Sequence, residues 1–244
     1  MGAASSQLPP QATWDQVPCD ARSVALRQAG FKFLNRVHPG VGFYWAHHAD
    51  FLYRRAGGVE AARAVYRDAL TRCADYDCVY GFWISMEEDH WRQTSEGAGA
   101  GGEPRAVRAL FDEWRARSEA DAGGGSEEGK ELLWIRYIHF ELEHGGAERA
   151  RAVAAAAAAA CPRNAWVRAE CVMAEVRLGD DERARAAFDR ALGDLAGDDE
   201  ATKRLTEKVR RRGACLSEEW FGGGCLSSFC RGCCFRPHRW WEQI

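Results

Sequence analysis

Apolar and polar positions along the chain recur with the period of a helix. In Trp134-x-x-Tyr137-x-x-Phe140-Glu141 the rings fall three residues apart, a spacing that a helix gathers on one face and a strand scatters. Trp45-x-x-His48-x-x-Phe51 keeps the spacing with a histidine in the middle, and Tyr80-x-x-Trp83-x-x-Met86-Glu87 keeps it with the first two ring types exchanged. A worn fourth copy aligned on Glu175 offers Arg168, Cys171 and Ala174, with Trp166 displaced. A second pattern follows each aromatic one. Ala62-Arg63-Ala64-Val65-Tyr66-Arg67-Asp68-Ala69-Leu70 returns as Ala184-Arg185-Ala186-Ala187-Phe188-Asp189-Arg190-Ala191-Leu192. Ala150-Arg151-Ala152-Val153 running into seven alanines is a third copy, and Val107-Arg108-Ala109-Leu110-Phe111-Asp112-Glu113-Trp114 a fainter fourth. The four arginines are spaced by 45, 43 and 34 residues, and the shortest spacing marks the unit.

Glycine and proline punctuate this pattern as paired helices require. Gly57-Gly58, Gly145-Gly146 and Gly179-Asp180 each separate an aromatic segment from the arginine segment after it, where a glycine can adopt the left-handed conformation that ends a helix. Pro39 and Pro162 stand where one helix has ended and the next aromatic one has yet to begin. Glycine-rich stretches near 95–102 and 122–129 account for the two long spacings as loop insertions. Residues 22–37 fit a second helix of a preceding pair and residues 199–212 a following helix. The expected fold is all-α, a superhelical solenoid of about four helical hairpins over residues 22–212, between a disordered segment 1–21 and a Cys- and Trp-rich tail 213–244 that reads as disordered.

Trp-x-x-Tyr-x-x-Phe-Glu, a glycine turn and Ala-Arg-x-Val-Tyr-x-x-Ala-Leu at a period near 34 resemble the half-a-TPR (HAT) repeat over roughly residues 22–195. The residues that carry the resemblance are Trp45, Phe51, Arg63, Tyr66, Trp83, Glu87, Arg108, Trp134, Tyr137, Phe140, Glu141, Arg151, Arg185 and Phe188. It implies a scaffold in eukaryotic RNA processing, as in crooked-neck and suppressor-of-forked relatives: pre-mRNA splicing, 3'-end processing or ribosomal-RNA processing, in the nucleus, with other proteins of a ribonucleoprotein complex as partners and any RNA contact weak or indirect. His48 in place of Tyr, Leu52 in place of Glu and the alanine-rich helix depart from the pattern. The alternative is a general TPR-like cytosolic adaptor that binds peptide tails. With about four units the array is shorter than those of the family, as a fragment would be, and an uncapped terminal unit gives a homodimer a place to form.

A lone hairpin buries too little surface to offset its ordering entropy, so Trp45, Trp83 and Trp134 are expected in the core between units, and the recurring arginines are expected to pair with carboxylates such as Glu87 or Glu141. Ala154 to Ala160 reads as filler permitting close helix approach, with a docking groove for another helix as the rival reading.

Chemistry beyond packing is sparse. With 33 Lys+Arg against 36 Asp+Glu no overall basic field draws nucleic acid, so the one basic cluster, Lys203, Arg204, Lys208, Arg210, Arg211 and Arg212, is the candidate RNA or nuclear-import patch, against the plainer reading of a solvated helix end. No catalytic signature, phosphate loop or His-Glu-x-x-His pair is present, so the reading is non-enzymatic and without cofactor. Cys225, Cys230, Cys233 and His238 supply one half of a zinc site and no second ligand pair. Met1 to Ser6 formally fits a myristoylation pattern, which small residues match by chance. No run of apolar residues is long enough to span a bilayer, and no membrane role is expected.

Overall fold

The computed structural model describes residues 20–98, 103–121 and 126–212. The candidate zinc ligands, the myristoylation pattern and the two tails lie outside these residues, save that Asp20 and Ala21, expected in the disordered segment, cap and begin the first helix. The described residues form ten α-helices and one π-helical segment, with no strand among them. The chain divides into two compact units, 1–125 and 126–244.

The first unit holds α1 (Ala21–Val37), α2 (Gly42–Phe51), the π-helical segment Leu52–Ala56, α3 (Gly58–Arg72), α4 (Tyr76–Ala98) and α5 (Arg105–Ala120). Each helix packs on the next, and α2 also packs on α4. The π-helical segment has a sequence cause. Phe51 stands twelve residues before Arg63, whereas Phe140 stands eleven before Arg151, and the added residue is absorbed in a wider turn closed by Gly57 N–H to the Leu52 carbonyl at 2.9 Å. The core is built from the apolar face of each helix: Trp45, Ala46 and Ala49 of α2, Ala62, Tyr66 and Ala69 of α3, Val79, Trp83 and Ile84 of α4, and Phe111 and Trp114 of α5 are all buried.

The second unit holds α6 (Glu127–His144), α7 (Ala147–Ala160), α8 (Ala165–Arg177), α9 (Asp181–Asp194) and α10 (Asp199–Arg212). Again α6, α7, α8 and α9 pack in chain order, while α8 also carries α6 and α10. Side-chain caps fix the helix starts. Ser126 accepts from Gly129 N–H at 2.8 Å, Asn164 from Trp166 and Val167 N–H at 3.0 Å each, and Asp180 from Arg183 N–H at 3.0 Å. Its core joins Ala169 and Val172 of α8, Phe188 and Ala191 of α9, and Leu205 and Val209 of α10 around Leu195.

Gly58, Gly146 and Gly179 have φ of 71°, 77° and 73°, so each of the three expected turns uses the left-handed conformation that only glycine enters without steric cost. Two boundaries are corrected. Helix α4 continues through Ala98, into the stretch read as a glycine-rich insertion, because nothing before Gly97 breaks it. Helix α6 begins at Glu127, with Gly129 buried inside its first turn, because Ser126 caps it and Glu127 and Glu128 favour its positive end. His48, Leu52 and the alanine run do not prevent pairing: α2 packs on α3 and α6 on α7.

Candidate functional site

Two of the four repeated arginines, Arg63 and Arg151, meet a carboxylate of the next helix pair and so link one pair to the next. Arg63 of α3 donates through Nε and Nη2 to the two oxygens of Glu87 on α4, at 2.6 Å each. Trp83 Nε1 donates to the same carboxylate at 3.0 Å. Glu87 is only 3% exposed while the Arg63 side chain retains 22%, so the guanidinium is the wetted end of a fork whose carboxylate is internal. Burial pushes the Glu87 carboxyl upward, but the hydrogen bonds from Arg63 and Trp83 outweigh it and hold the group below the ordinary carboxylate range. Beside the fork, the Tyr66 ring of α3 stacks on Trp83 with centroids 5.4 Å apart and planes 8° from parallel. One helix further on, Tyr80 stacks on Trp114 of α5 at 5.7 Å and 12°, Trp114 Nε1 donates to Asp77 at 2.7 Å, and Tyr80 donates to Glu113 at 2.9 Å.

The same relation recurs in the second unit. Arg151 of α7 donates through Nε to Glu175 of α8 at 3.0 Å and through Nη2 to Asp180 at 3.2 Å. In both forks the carboxylate lies 24 residues after the arginine, from the second helix of one pair to the first helix of the next. The arithmetic also explains the two copies without this fork: 24 residues beyond Arg108 stands Leu132, and 24 beyond Arg185 stands Val209. Arg108 instead holds Glu103 at 2.9 Å, and Arg185 is exposed on α9.

Trp45, Phe51, Trp83, Trp134, Tyr137, Phe140, Glu141 and Phe188 are all buried. Trp45 Nε1 donates to the Pro39 carbonyl at 2.9 Å, which ties the loop before α2 to the core. Gly145 explains the close of α6: a Cβ there would run into the Glu141 carboxylate, which folds over the turn.

Several polar contacts carry no motif. His48 stacks on Phe31 with centroids 5.6 Å apart, and its Nδ1 takes a hydrogen bond from Asn35 at 3.0 Å. Burial, aided by nearby Lys32, lowers the His48 imidazole to about 4 and keeps it neutral. Arg168 replaces the tryptophan of the fourth aromatic segment and is equally buried, its stem filling the space while Nη2 pairs with Asp194 at 2.5 Å. Glu170 of α8, nearly inaccessible, meets His139 of α6 at 2.8 Å and Lys208 of α10 at 3.2 Å, so one carboxylate joins three helices. The signal for it was the lone acid in an otherwise apolar stretch of α8.

Lys208 therefore leaves the basic patch. It is 9% exposed, with its ammonium 4.3 Å from the Trp166 ring centroid, because its place on α10 faces α8 between Leu205 and Val209. Lys203, Arg204, Arg210 and Arg211 are exposed, and Arg204 pairs with Glu200 at 3.1 Å.

The alanine run of α7 lines a groove of about 400 Å³ together with α8 and α9, to which α7 gives Ala154, Ala155, Ala158 and Ala159, α8 gives Arg168, Cys171 and Glu175, and α9 gives Ala187, Arg190 and Asp194. Methyl side chains leave the space that longer ones would fill. Cys73, Cys78, Cys161 and Cys171 are free thiols. Burial pushes Cys78 and Cys171 up to about 12, away from the thiolate form that nucleophilic chemistry uses. Among the described residues no group of three or more His, Cys, Asp or Glu is placed to hold a metal, and no helix is long and apolar enough to cross a membrane. No protein-family model matches the chain, and no curated protein is similar to it at a significant level.

Proposed function

We propose that the chain is a non-catalytic helical-repeat scaffold of HAT type, a solenoid of stacked hairpins that holds proteins together in an RNA-processing complex of the nucleus. The observation that carries the repeat reading is the fork that recurs 24 residues on, Arg63 to Glu87 and Arg151 to Glu175, each joining the second helix of one pair to the first of the next. A fixed spacing of this kind ties neighbour to neighbour, which is the only contact a quasi-one-dimensional array needs. The buried ring stacks Tyr66–Trp83 and Tyr80–Trp114 support it as inter-helix packing. The assignment to RNA processing rests on the resemblance of those residues to the HAT pattern.

Glycerol-gradient sedimentation of nuclear extract from cells that express the chain tests this reading. The protein should migrate with large particles that contain splicing, 3'-end or pre-ribosomal components. Migration as a free chain of its own mass, in extract where those particles are intact, would overturn it.

A second reading, a cytosolic adaptor that takes peptide tails, is favoured by the groove on α7 to α9, whose alanine side chains leave room for a chain and where Arg190 is exposed beside the Arg151–Glu175 and Arg168–Asp194 pairs. Anisotropy titration with acidic C-terminal peptides separates the two. Saturable binding lost in Arg190→Glu supports the adaptor, and absence of binding removes it.

A further inference from the structure

Helix α1 has two unlike faces. Val24, Gln28, Phe31 and Asn35, a turn apart, form the face that α2 covers: Phe31 lies against His48 and 5.5 Å from Phe51, and Asn35 is buried. On the other side Leu26, Gly30, Phe33 and Val37 fall at i, i+4, i+7 and i+11, the spacing of a helix-packing seam. That stripe faces solvent, with Leu26 74%, Phe33 54% and Val37 48% exposed. Large apolar side chains aligned on an exposed helix mark an interaction site more often than chance scatter does.

The charge on α1 has one sign. Arg22, Arg27, Lys32 and Arg36 lie within it, and no acidic residue occurs between Ala21 and Val37. On a helix of 100° per residue Arg22 continues the stripe at its N-terminal end and Arg36 stands about a quarter turn to one side, while Lys32 lies further round, toward the face that meets α2 near His48. Arg36 already lies over the Phe33 ring, with its guanidinium carbon 5.7 Å from the centroid.

We propose that this face of α1 is the docking surface for an acidic amphipathic helix of a partner protein. Its apolar seam would lie on Leu26, Phe33 and Val37, and its carboxylates would meet Arg22 and Arg36. The inference goes beyond the scaffold reading because it stands on α1 alone. Charge decides against a second copy as the occupant: two α1 helices face to face would bring cations together with no acid between them. A bilayer calls for a helix whose free face is broadly apolar, and this stripe is one side chain wide per turn. RNA phosphates would draw on the cations but gain nothing from Leu26 and Val37. The segment before Asp20 carries one acid, Asp15, and prolines at 9, 10 and 18, which is not the sequence of an acidic amphipathic helix.

The test uses the full chain and a fluorescein-labelled synthetic helix about as long as α1, with Leu at i, i+4, i+7 and i+11 and Glu at the flanking positions. Controls are the same residues in scrambled order, the peptide with Lys for Glu, and phosphatidylcholine vesicles containing phosphatidylserine. The Leu:Glu peptide should bind saturably and lose affinity as salt rises. Leu26→Glu/Phe33→Glu and Arg22→Glu/Arg36→Glu should each weaken it roughly tenfold or more. All these residues are exposed, so helix content and melting temperature in the absence of peptide should not change. The proposal is overturned by equal binding of the scrambled peptide, by unchanged affinity in both variants, or by vesicle binding without peptide binding. It is also overturned by a dimer that Leu26→Glu/Phe33→Glu dissociates, which would make a second copy the occupant. A lower melting temperature of that variant alone would do the same, since the chain would then be covering the stripe itself. Peptide binding without RNA-processing particles in the gradient would sink the scaffold reading and leave this one standing.

Discussion

Replacing Arg63 and Glu87 singly and together tests whether the fork acts as a unit. Glu87 is 3% exposed and accepts three hydrogen bonds, two from Arg63 and one from Trp83. Removing one partner of a buried ion pair costs about 3–5 kcal/mol because the other charge stays behind unpaired. The 22% exposure of Arg63 and the remaining Trp83 bond place Arg63→Met at the low end, about 3 kcal/mol. Glu87→Leu should cost roughly 2 kcal/mol, since the freed guanidinium can reach water and Glu60. The double variant removes both charges and leaves only the Trp83 N–H without its acceptor, again roughly 2 kcal/mol. The pair should therefore couple by about 3 kcal/mol rather than add. Urea unfolding of the full chain at pH 7, followed by circular dichroism, measures all four stabilities. The folded carboxyl sits below its ordinary value, so the fork contributes fully above the unfolded pKa and is lost as pH falls through the folded one. The coupling should shrink accordingly in acid. Single-variant costs that add to within about 0.5 kcal/mol at pH 7 would refute the reasoning.

Other expectations follow from the same contacts. His48 has its pKa lowered to about 4, so between the ordinary histidine value and 4 the unfolded chain takes a proton that the folded one refuses; stability should fall by up to roughly 1.4 kcal/mol per pH unit on acidification through that window, and His48→Tyr should flatten the slope in pH-dependent urea titrations. Gly145→Ala should destabilise the second unit more than Gly58→Ala destabilises the first. At Gly58 only the positive φ opposes a side chain, about 1 kcal/mol, whereas at Gly145, whose φ of −102° any residue adopts, the new Cβ must displace the buried Glu141 carboxylate, and thermal melts of the two variants rank them. Lys208→Met should lower stability, by exposing Glu170 to a lost partner, without changing the salt dependence of any RNA affinity, which Lys203→Glu/Arg210→Glu should reduce if that patch contacts phosphate; filter binding across salt concentrations reads both. Cys78 and Cys171 should resist iodoacetamide at pH 8 in the native chain and react at once in urea, as mass spectrometry would show.

Periodicity exposed much of this architecture. Rings three apart placed α2, α4 and α6, the arginine segments placed α3, α5, α7 and α9, and the glycine pairs marked turns whose φ is positive. The partner of each arginine was legible in part: Glu87 could be named for its residue type, but the 24-residue spacing that sends Arg63 forward to it emerges only once α3 and α4 are seen side by side. Loop composition misled where helix capping overruled it, as at Ser126, where a favourable N-cap starts α6 inside a glycine-rich stretch. Lys208 was misplaced because charge clustering along a sequence carries no information about helix face, and α10 turns this one lysine inward to Glu170. The pairings of His48 with Asn35 and of Arg168 with Asp194 were invisible for a related reason. Each joins residues that no period relates, and only the packed interior brings them within hydrogen-bond reach. The apolar stripe of α1 was hidden by its buried twin, since apolar residues on both faces of one helix blur a single amphipathic period.

The scaffold account meets its most direct test in affinity capture of the tagged full chain from nuclear extract, with nuclease treatment and identification of the proteins retained. The account predicts a reproducible set of splicing, 3'-end or pre-ribosomal proteins that survives nuclease and is lost with Arg63→Met/Arg151→Met, which loosens both forks. A capture that returns no RNA-processing protein, or one whose partners are indifferent to the forks, contradicts it.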